Sequence, residues 1–234
     1  MTHEHRGWRV DQRGALLAQD PLRASEARTY WEKAIGIDER LVIKNPADRE
    51  AKLELATFCN DLAALLGKLG NVDEADRRSR MAVDLFENLS RAAPVLAIAR
   101  ADAHRLRGAI LQADNAAEAA DEYGVALDLF SELQNDRALR RLPEFHARLA
   151  DLLLDLAAFP PNSREIKEVR GLLTEAVSLY AVIAAKIVSS GARIEAQHAL
   201  DNLTRVLAGL PEPHRAELAE FSQQLKRRLD SDLR

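Results

Sequence analysis

An alanine pattern that occurs four times constrains the fold of this chain more than any other sequence feature. Each copy begins with a glutamate, places an alanine at the eighth position after it, and continues with an aliphatic residue. The four alanines are Ala34, Ala82, Ala126 and Ala176, at intervals of 48, 44 and 50 residues. Apolar positions within each copy are spaced by three and four residues, which is the period of a helix face. The chain is therefore predicted to consist of internal helical repeats.

A second helix is predicted ahead of each of the three later copies, and one more after the fourth copy, from pairs of aliphatic residues four positions apart. These pairs are Leu62 and Leu66, Leu106 and Ile110, Leu149 and Leu153, and Leu203 and Leu207. In the turns that follow, Asn71, Asn115 and Asn162 each stand three residues before a glutamate, the spacing of a capping box. The repeat is thus a helix A, a short turn and a helix B.

The full pattern predicts about ten helices and no strand. Their approximate ranges are 4–19, 22–44, 48–69, 72–92, 95–113, 115–134, 136–158, 163–189, 192–209 and 213–230. Pro46 and Pro94 stand between repeats, where a proline ends one helix and can begin the next. Short turns between consecutive helices require antiparallel packing, so each helix pair is expected to cover the next.

Composition and charge exclude several classes of protein. The formal net charge of −4 gives no overall positive field for nucleic acid or acidic lipid. A single cysteine, Cys59, excludes an internal disulfide framework. The sequence has neither an apolar stretch long enough to cross a bilayer nor the apolar core of a secretion signal near Met1. We expect a cytoplasmic protein with no nucleic-acid or membrane partner.

The second repeat resembles the tetratricopeptide repeat (TPR) family. The residues that carry the resemblance are Leu62, Ala63, Leu66, Gly70, Glu74, Ala75 and Ala82. The segment 39–46 and the long period resemble the TPR arrays often attached to bacterial serine/threonine kinases. The period departs from the 34 residues of the family, and Arg107 stands where a small residue is usual. Gly108, next to it, is expected to restore close helix packing.

This resemblance covers most of residues 21–210 and implies an all-α fold. The implied architecture is a TPR-like right-handed α-solenoid of about five antiparallel helix pairs. A single domain, 1–234, would comprise an N-terminal helix (1–20), the repeats (21–210) and a C-terminal capping helix (211–234). An irregular helical bundle is the alternative architecture, because alanine-rich helices can imitate repeats.

No set of residues predicts catalysis or a cofactor. Nucleotide-binding, hydrolase, zinc-protease and EF-hand motifs are absent from the sequence. His104, His146 and His198 fall on three successive A helices but in different repeat phases, so we expect interfacial or groove-lining imidazoles and no metal site. Cys59 is expected to be a buried, unreactive thiol. We therefore expect a protein that is not an enzyme.

In the TPR family the A helices line the concave surface, so the resemblance implies a binding function. The residues predicted to line a peptide-binding groove are Asn60, Asp61, His104, Arg105, Arg148, Asp151, Asp201, Asn202 and Arg205. We expect a non-enzymatic scaffold that binds a protein or peptide partner there. The alternative is a sensor or regulatory module that binds a small molecule or signalling peptide and acts with a kinase or transcription system. Self-association as a homo-oligomer remains open.

Overall fold

The computed structural model describes residues 23–91, 93, 96–159, 168, 170–176, 178–179 and the single residues 204, 208, 223 and 227. Over this part of the chain the structure is helical and contains no strand. Its α-helices are α1 (Ala24–Lys44), α2 (Arg49–Lys68), α3 (Val72–Ser90), α4 (Ala97–Leu111), α5 (Ala116–Leu133) and α6 (Pro143–Ala158), and a short 3₁₀ helix spans Leu139–Arg141. The all-α prediction is confirmed. The predicted helices 4–19, 192–209 and 213–230 lie outside the described residues or touch them at single positions.

The chain divides into two compact units, which are residues 1–126 and residues 127–234. In the first unit α1 packs on α2, α2 on α3 and α3 on α4. Helices adjacent in sequence are therefore adjacent in space. Helix α2 also contacts α4, which is the A helix of the next repeat. Among the described residues, no helix combines the length and apolarity that crossing a bilayer requires.

The alanines of the repeat pattern are buried in the structure. Their exposed fractions are 6% for Ala34 and 0% for Ala82, Ala126 and Ala176. The aliphatic residue that follows is less regular, since Ile35 and Val83 are buried whereas Leu127 is 41% exposed. Leu127 lies on the same face of α5 as the exposed Ala120 and Ser131, seven and four residues away. The position after the repeat alanine is thus aliphatic in each of these three copies but is not buried in all of them.

The turn between α2 and α3 closes α2 with a glycine in the left-handed conformation. Gly70 has a φ of +76°, and the backbone N–H of Asn71 donates to the Leu66 carbonyl at 2.9 Å. The Asn71 side chain makes no capping hydrogen bond. Glu74 pairs instead with Arg28 of α1, Nη2 to Oε2, at 3.0 Å. The predicted capping box at Asn71 is wrong, because the amide that Glu74 would have accepted already serves the end of α2.

The equivalent cap at the start of α5 is confirmed. Asn115 Oδ1 accepts a hydrogen bond from the Glu118 backbone N–H at 3.3 Å. The return contact runs from Asn115 Nδ2 to Glu118 Oε2 at 2.8 Å, so it uses the asparagine side chain and not its backbone amide. The third predicted cap, at Asn162, lies outside the described residues.

The predicted helix 136–158 begins only at Pro143. Asp136 Oδ1 accepts hydrogen bonds from the backbone N–H groups of Ala138 and Leu139, at 2.7 and 3.2 Å, which fixes a turn before the short 3₁₀ helix. Leu142 is extended, with ψ of 129°. A proline disfavours the helical conformation of the residue before it and suits the first helical position, so α6 starts at Pro143.

Gly108 lies where α4 meets α5. A Cβ at this position would lie 2.9 Å from Cδ1 and Cε1 of the Tyr123 ring, closer than a side chain can approach without rearrangement. The adjacent Arg107 is buried, at 7% exposure, with its guanidinium among carboxylates. The expectation that Gly108 restores the close packing lost at Arg107 is confirmed.

In the second unit α6 carries the predicted aliphatic pair, and both Leu149 and Leu153 are buried. Phe145 of α6 meets Phe130 edge to face, with ring centroids 5.8 Å apart. Farther along the chain, the described residues include Leu173, which is fully buried. The helix face predicted for this unit is thus present where the structure describes it.

Candidate functional site

Four of the predicted groove residues lie in the first unit, on the two A helices that contact each other. Asn60 and Asp61 are half-buried on α2, and His104 and Arg105 lie on α4. The Oδ1 atom of Asn60 is buried and accepts no hydrogen bond. Arg105 Nε donates to Asp102 Oδ1 at 2.7 Å, one helical turn away. This surface of α2 and α4, which we call the A-helix surface, is therefore polar and carries both charges.

Two more of the predicted residues lie on α6 in the second unit. Arg148 Nη1 is 3.7 Å from Asp151 Oδ2, and the exposed fractions of the two side chains are 40% and 8%. Asp201, Asn202 and Arg205 lie outside the described residues. A groove shared by all nine residues therefore stays a prediction.

His104 points between two other helices of its unit. Its Nδ1 is 2.7 Å from Glu122 Oε2 on α5, and its Nε2 is 3.8 Å from Glu87 Oε1 on α3. The residue is only 5% exposed. The imidazole therefore faces helix B residues of two successive repeats, and its buried position makes it an interfacial residue.

One helical turn farther along α4, Arg107 pairs with carboxylates of both neighbouring B helices. Its Nε donates to Asp76 Oδ1 on α3 at 3.1 Å. Its Nη1 and Nη2 donate to Glu122 Oε1 and Glu118 Oε1 on α5. Burial alone would lower the pKa of the guanidinium, but the charges of these three carboxylates and the Glu118 hydrogen bond raise it. Arg107 is therefore a permanent buried cation that joins α3, α4 and α5.

Glu122 receives both the imidazole and the guanidinium. Burial by itself would raise the pKa of its carboxyl, but the His104 hydrogen bond, followed by the Arg107 charge, lowers it below the ordinary value. At the other end of α4, Arg100 Nη2 lies 3.4 Å from Glu87 Oε1. We call the whole set the ionic network, and its members are Asp76, Glu87, Arg100, His104, Arg107, Glu118 and Glu122.

The chemistry open to these groups is electrostatic and hydrogen-bonding. Among the described residues, no group of three or more His, Cys, Asp or Glu side chains is arranged to hold a metal ion. His146 belongs to the second unit, where its ring meets Phe145 edge to face, and His198 lies outside the described residues. Cys59 is fully buried, and burial raises the pKa of its thiol to about 11, so it stays protonated at neutral pH. The expected burial of the thiol is confirmed.

Sequence reasoning missed the ionic network, although one signal for it was present. Arg100, His104 and Arg107 follow each other at four and three residues, which places them on one face of α4. Glu118 and Glu122 have the same spacing on α5. A polar stripe on each of two consecutive helices is the pattern from which a buried ionic contact could have been inferred.

Comparison with known proteins adds no relative to these observations. No protein-family model matches the chain, and no curated protein matches it significantly. The resemblance to the TPR family therefore stays a prediction based on the residues of this sequence.

Proposed function

We propose that this chain is a non-enzymatic, TPR-like scaffold that binds a protein or peptide partner on the A-helix surface. The observation that carries the proposal is the direct contact between α2 and α4, the A helices of successive repeats. With α3 packed against both of them, this arrangement supports hairpin stacking. The buried alanines Ala75 and Ala82, both 0% exposed, supply the small side chains that such stacking needs.

The polarity of the A-helix surface supports an extended peptide as the ligand. Asp61 and Arg105 are partly buried side chains of opposite charge on two helices that contact each other. Side chains of these types bind backbone groups and charged side chains of a peptide without an apolar pocket. Arg148 of α6 is the arginine that the sequence predicts for the groove in the following repeat, and it is included in the test on that ground.

Affinity purification of the tagged full-length chain from its source cells, with quantitative mass spectrometry, tests this proposal. The test variant combines Arg105→Gln with Arg148→Glu. Glutamine is chosen at position 105 because a glutamate would stand against Asp102. We expect proteins enriched by the wild-type chain to be lost with the double variant, while its helicity by circular dichroism is unchanged.

The matched control combines Arg77→Gln with Arg137→Glu. Both arginines are exposed. Arg77 lies on α3, which is a helix B, and Arg137 lies in the turn before α6. The control makes the same charge changes away from the A-helix surface, so it should retain the enriched proteins. Equal enrichment by wild type and test variant would refute the assignment of the surface, and loss with both variants would indicate a nonspecific charge effect.

A further inference from the structure

Asp38 interrupts the apolar face of α1 at a position where the other repeats have an aromatic residue. It follows the repeat alanine Ala34 by four residues, and the same position is Phe86 in α3 and Phe130 in α5. Both phenylalanines are buried, at 3% and 0% exposure, and Asp38 is buried equally well, at 4%. A carboxyl group thus fills a core position of the repeat.

The surroundings of Asp38 do not compensate a negative charge. Its Oδ2 is buried and has no hydrogen-bond partner. From α2 and its N-cap, Glu54 and Asp48 act on it with like charge. On α1 its neighbour is Glu39, whose Oε1 lies 3.8 Å from Nη1 of Arg78 on α3. Arg78 therefore pairs with the glutamate adjacent to Asp38.

Burial first, and then the charges of Glu54 and Asp48, raise the pKa of the Asp38 carboxyl from 3.8 to about 7. The group therefore changes its charge in the neutral pH range while it lies in the contact between α1 and α2. An ionised carboxylate in this position lacks hydration and a counter-ion, whereas a helix end that moves outward restores hydration. Phe86 and Phe130, at the equivalent positions, have no such response.

We propose that Asp38 is a pH-controlled latch, which holds the C-terminal half of α1 on α2 when protonated and releases it when ionised. The latch is independent of the proposed binding function, since Asp38 lies on helix α1 and outside the A-helix surface. Release at higher pH uncovers the face of α2 against which this part of α1 packs.

The lone cysteine reports on the latch. Cys59 of α2 is fully buried, and the charges of Arg78, Glu39 and Asp38 all act on its thiol, so it lies where α1, α2 and α3 meet. The experiment measures the rate at which a thiol reagent labels Cys59 in the full-length chain at pH 6 and pH 8. Dividing by the rate for the urea-unfolded chain at the same pH removes the effect of thiolate concentration.

The pKa of the Asp38 carboxyl is about 7 when the side chain is buried and near 3.8 when α1 is open. Because opening is linked to ionisation, the protection of Cys59 should fall about tenfold from pH 6 to pH 8. In Asp38→Asn the protection should change by less than about twofold, because asparagine does not titrate. Asp84→Asn, at an exposed position of α3, is the matched control and should behave like the wild type. An equal loss of protection in wild type and Asp38→Asn would overturn the proposal.

Hydrogen exchange followed by mass spectrometry separates the latch from general destabilisation. Amides of residues 35–44 should exchange faster at pH 8 than at pH 6, after correction for intrinsic rates, in the wild type and not in Asp38→Asn. Amides of α3 and α4 should keep their protection. Simultaneous loss of protection in α1, α3 and α4 would also overturn the proposal, because it would show global unfolding and no local release.

Discussion

At the scale of single residues, Asp38 should make the stability of this protein depend on pH. The folded state raises the pKa of its carboxyl from 3.8 to about 7. Between these values the folded chain holds a proton that the unfolded chain has lost, so the free energy of unfolding falls as pH rises and levels off above pH 7. Asp38→Asn removes this loss. We expect it to raise the free energy of unfolding by about 2–4 kcal/mol at pH 8 and by less than half of that amount at pH 5.

Urea denaturation at pH 5 and pH 8 measures this difference. At each pH, the free energy of unfolding of the wild type is subtracted from that of Asp38→Asn. This difference cancels the titration of all other groups that the two chains share. Asp84→Asn, at an exposed site, should give no such difference between the two pH values. A gain of the same size at both pH values would show that ionisation of Asp38 is not the cause.

At Gly108, the effect of an added methyl group on stability depends on the space available and not on charge. Gly108→Ala sets a Cβ 2.9 Å from the Tyr123 ring, so the overpacking cost of about 1–3 kcal/mol should exceed the gain in helix propensity of about 1 kcal/mol. We expect a lower melting temperature. Gly124→Ala on α5 is the matched control, because a Cβ there meets no atom within 4 Å. It should stabilise the chain by about 0.5–1 kcal/mol, and equal shifts in both variants would contradict the close contact at Gly108.

The roles of some single residues could be predicted from the sequence, and those of others could not. Gly108 could be assigned from the repeat, because it compensates for Arg107 one position earlier in the same helix. Asp38 could not, since the pattern of a single helix does not say whether a carboxylate inside the apolar face finds a partner from another helix. Glu54 and Asp48, which raise its pKa, belong to the next helix and its N-cap.

At the scale of helices, the ionic network joins α3, α4 and α5 through Arg107. The substitution Arg107→Ala removes the cation that Asp76, Glu118 and Glu122 share. The three carboxylates then lie close together without it. Loss of one partner from a buried ion pair commonly costs about 3–5 kcal/mol, so we expect a large drop in the free energy of unfolding. Chemical denaturation, followed by circular dichroism, measures it.

Arg80→Ala is a matched control for this prediction, because Arg80 pairs with the same aspartate. Its Nη2 lies 2.9 Å from Asp76 Oδ2, but the Arg80 side chain is 58% exposed whereas that of Arg107 is 9% exposed. An exposed ion pair contributes about 0–1 kcal/mol. Similar losses in the two variants would mean that burial of Arg107 adds nothing to its pairing.

Helix positions were predictable where the signal lies inside the segment, and less so where two signals compete. The predicted helix 48–69 agrees closely with α2, whose start is capped by the Asp48 carboxylate and whose end is followed by Gly70 in the left-handed conformation. It misplaces the start of α6 because apolar spacing was followed past Pro143, although proline limits the residue before it. Contacts of Arg107 were beyond prediction, since its partners lie 31, 11 and 15 residues away on two other helices.

At the scale of the whole molecule, the sequence predicts the repeated helix pairs, and the contact of α2 with α4 agrees with them in the first unit. The predicted groove is different in kind. It requires residues of several repeats to face one side, and a side chain next to the core stripe can turn either way. His104 illustrates this, because carboxylates on both neighbouring B helices draw its imidazole into the interior.

Small-angle X-ray scattering distinguishes the proposed solenoid from the alternative of an irregular bundle. A compact globular chain of 234 residues should have a radius of gyration of about 17–18 Å. Repeats that contact only their sequence neighbours extend in one direction, so a solenoid should have a larger radius of gyration than this compact value and give a skewed distance distribution. The measurement needs a monomeric sample, established by in-line chromatography, because self-association would also raise the value. A monomer at about 17–18 Å would exclude the solenoid and with it the continuous groove, while leaving the ionic network and the Asp38 latch of the first unit in place.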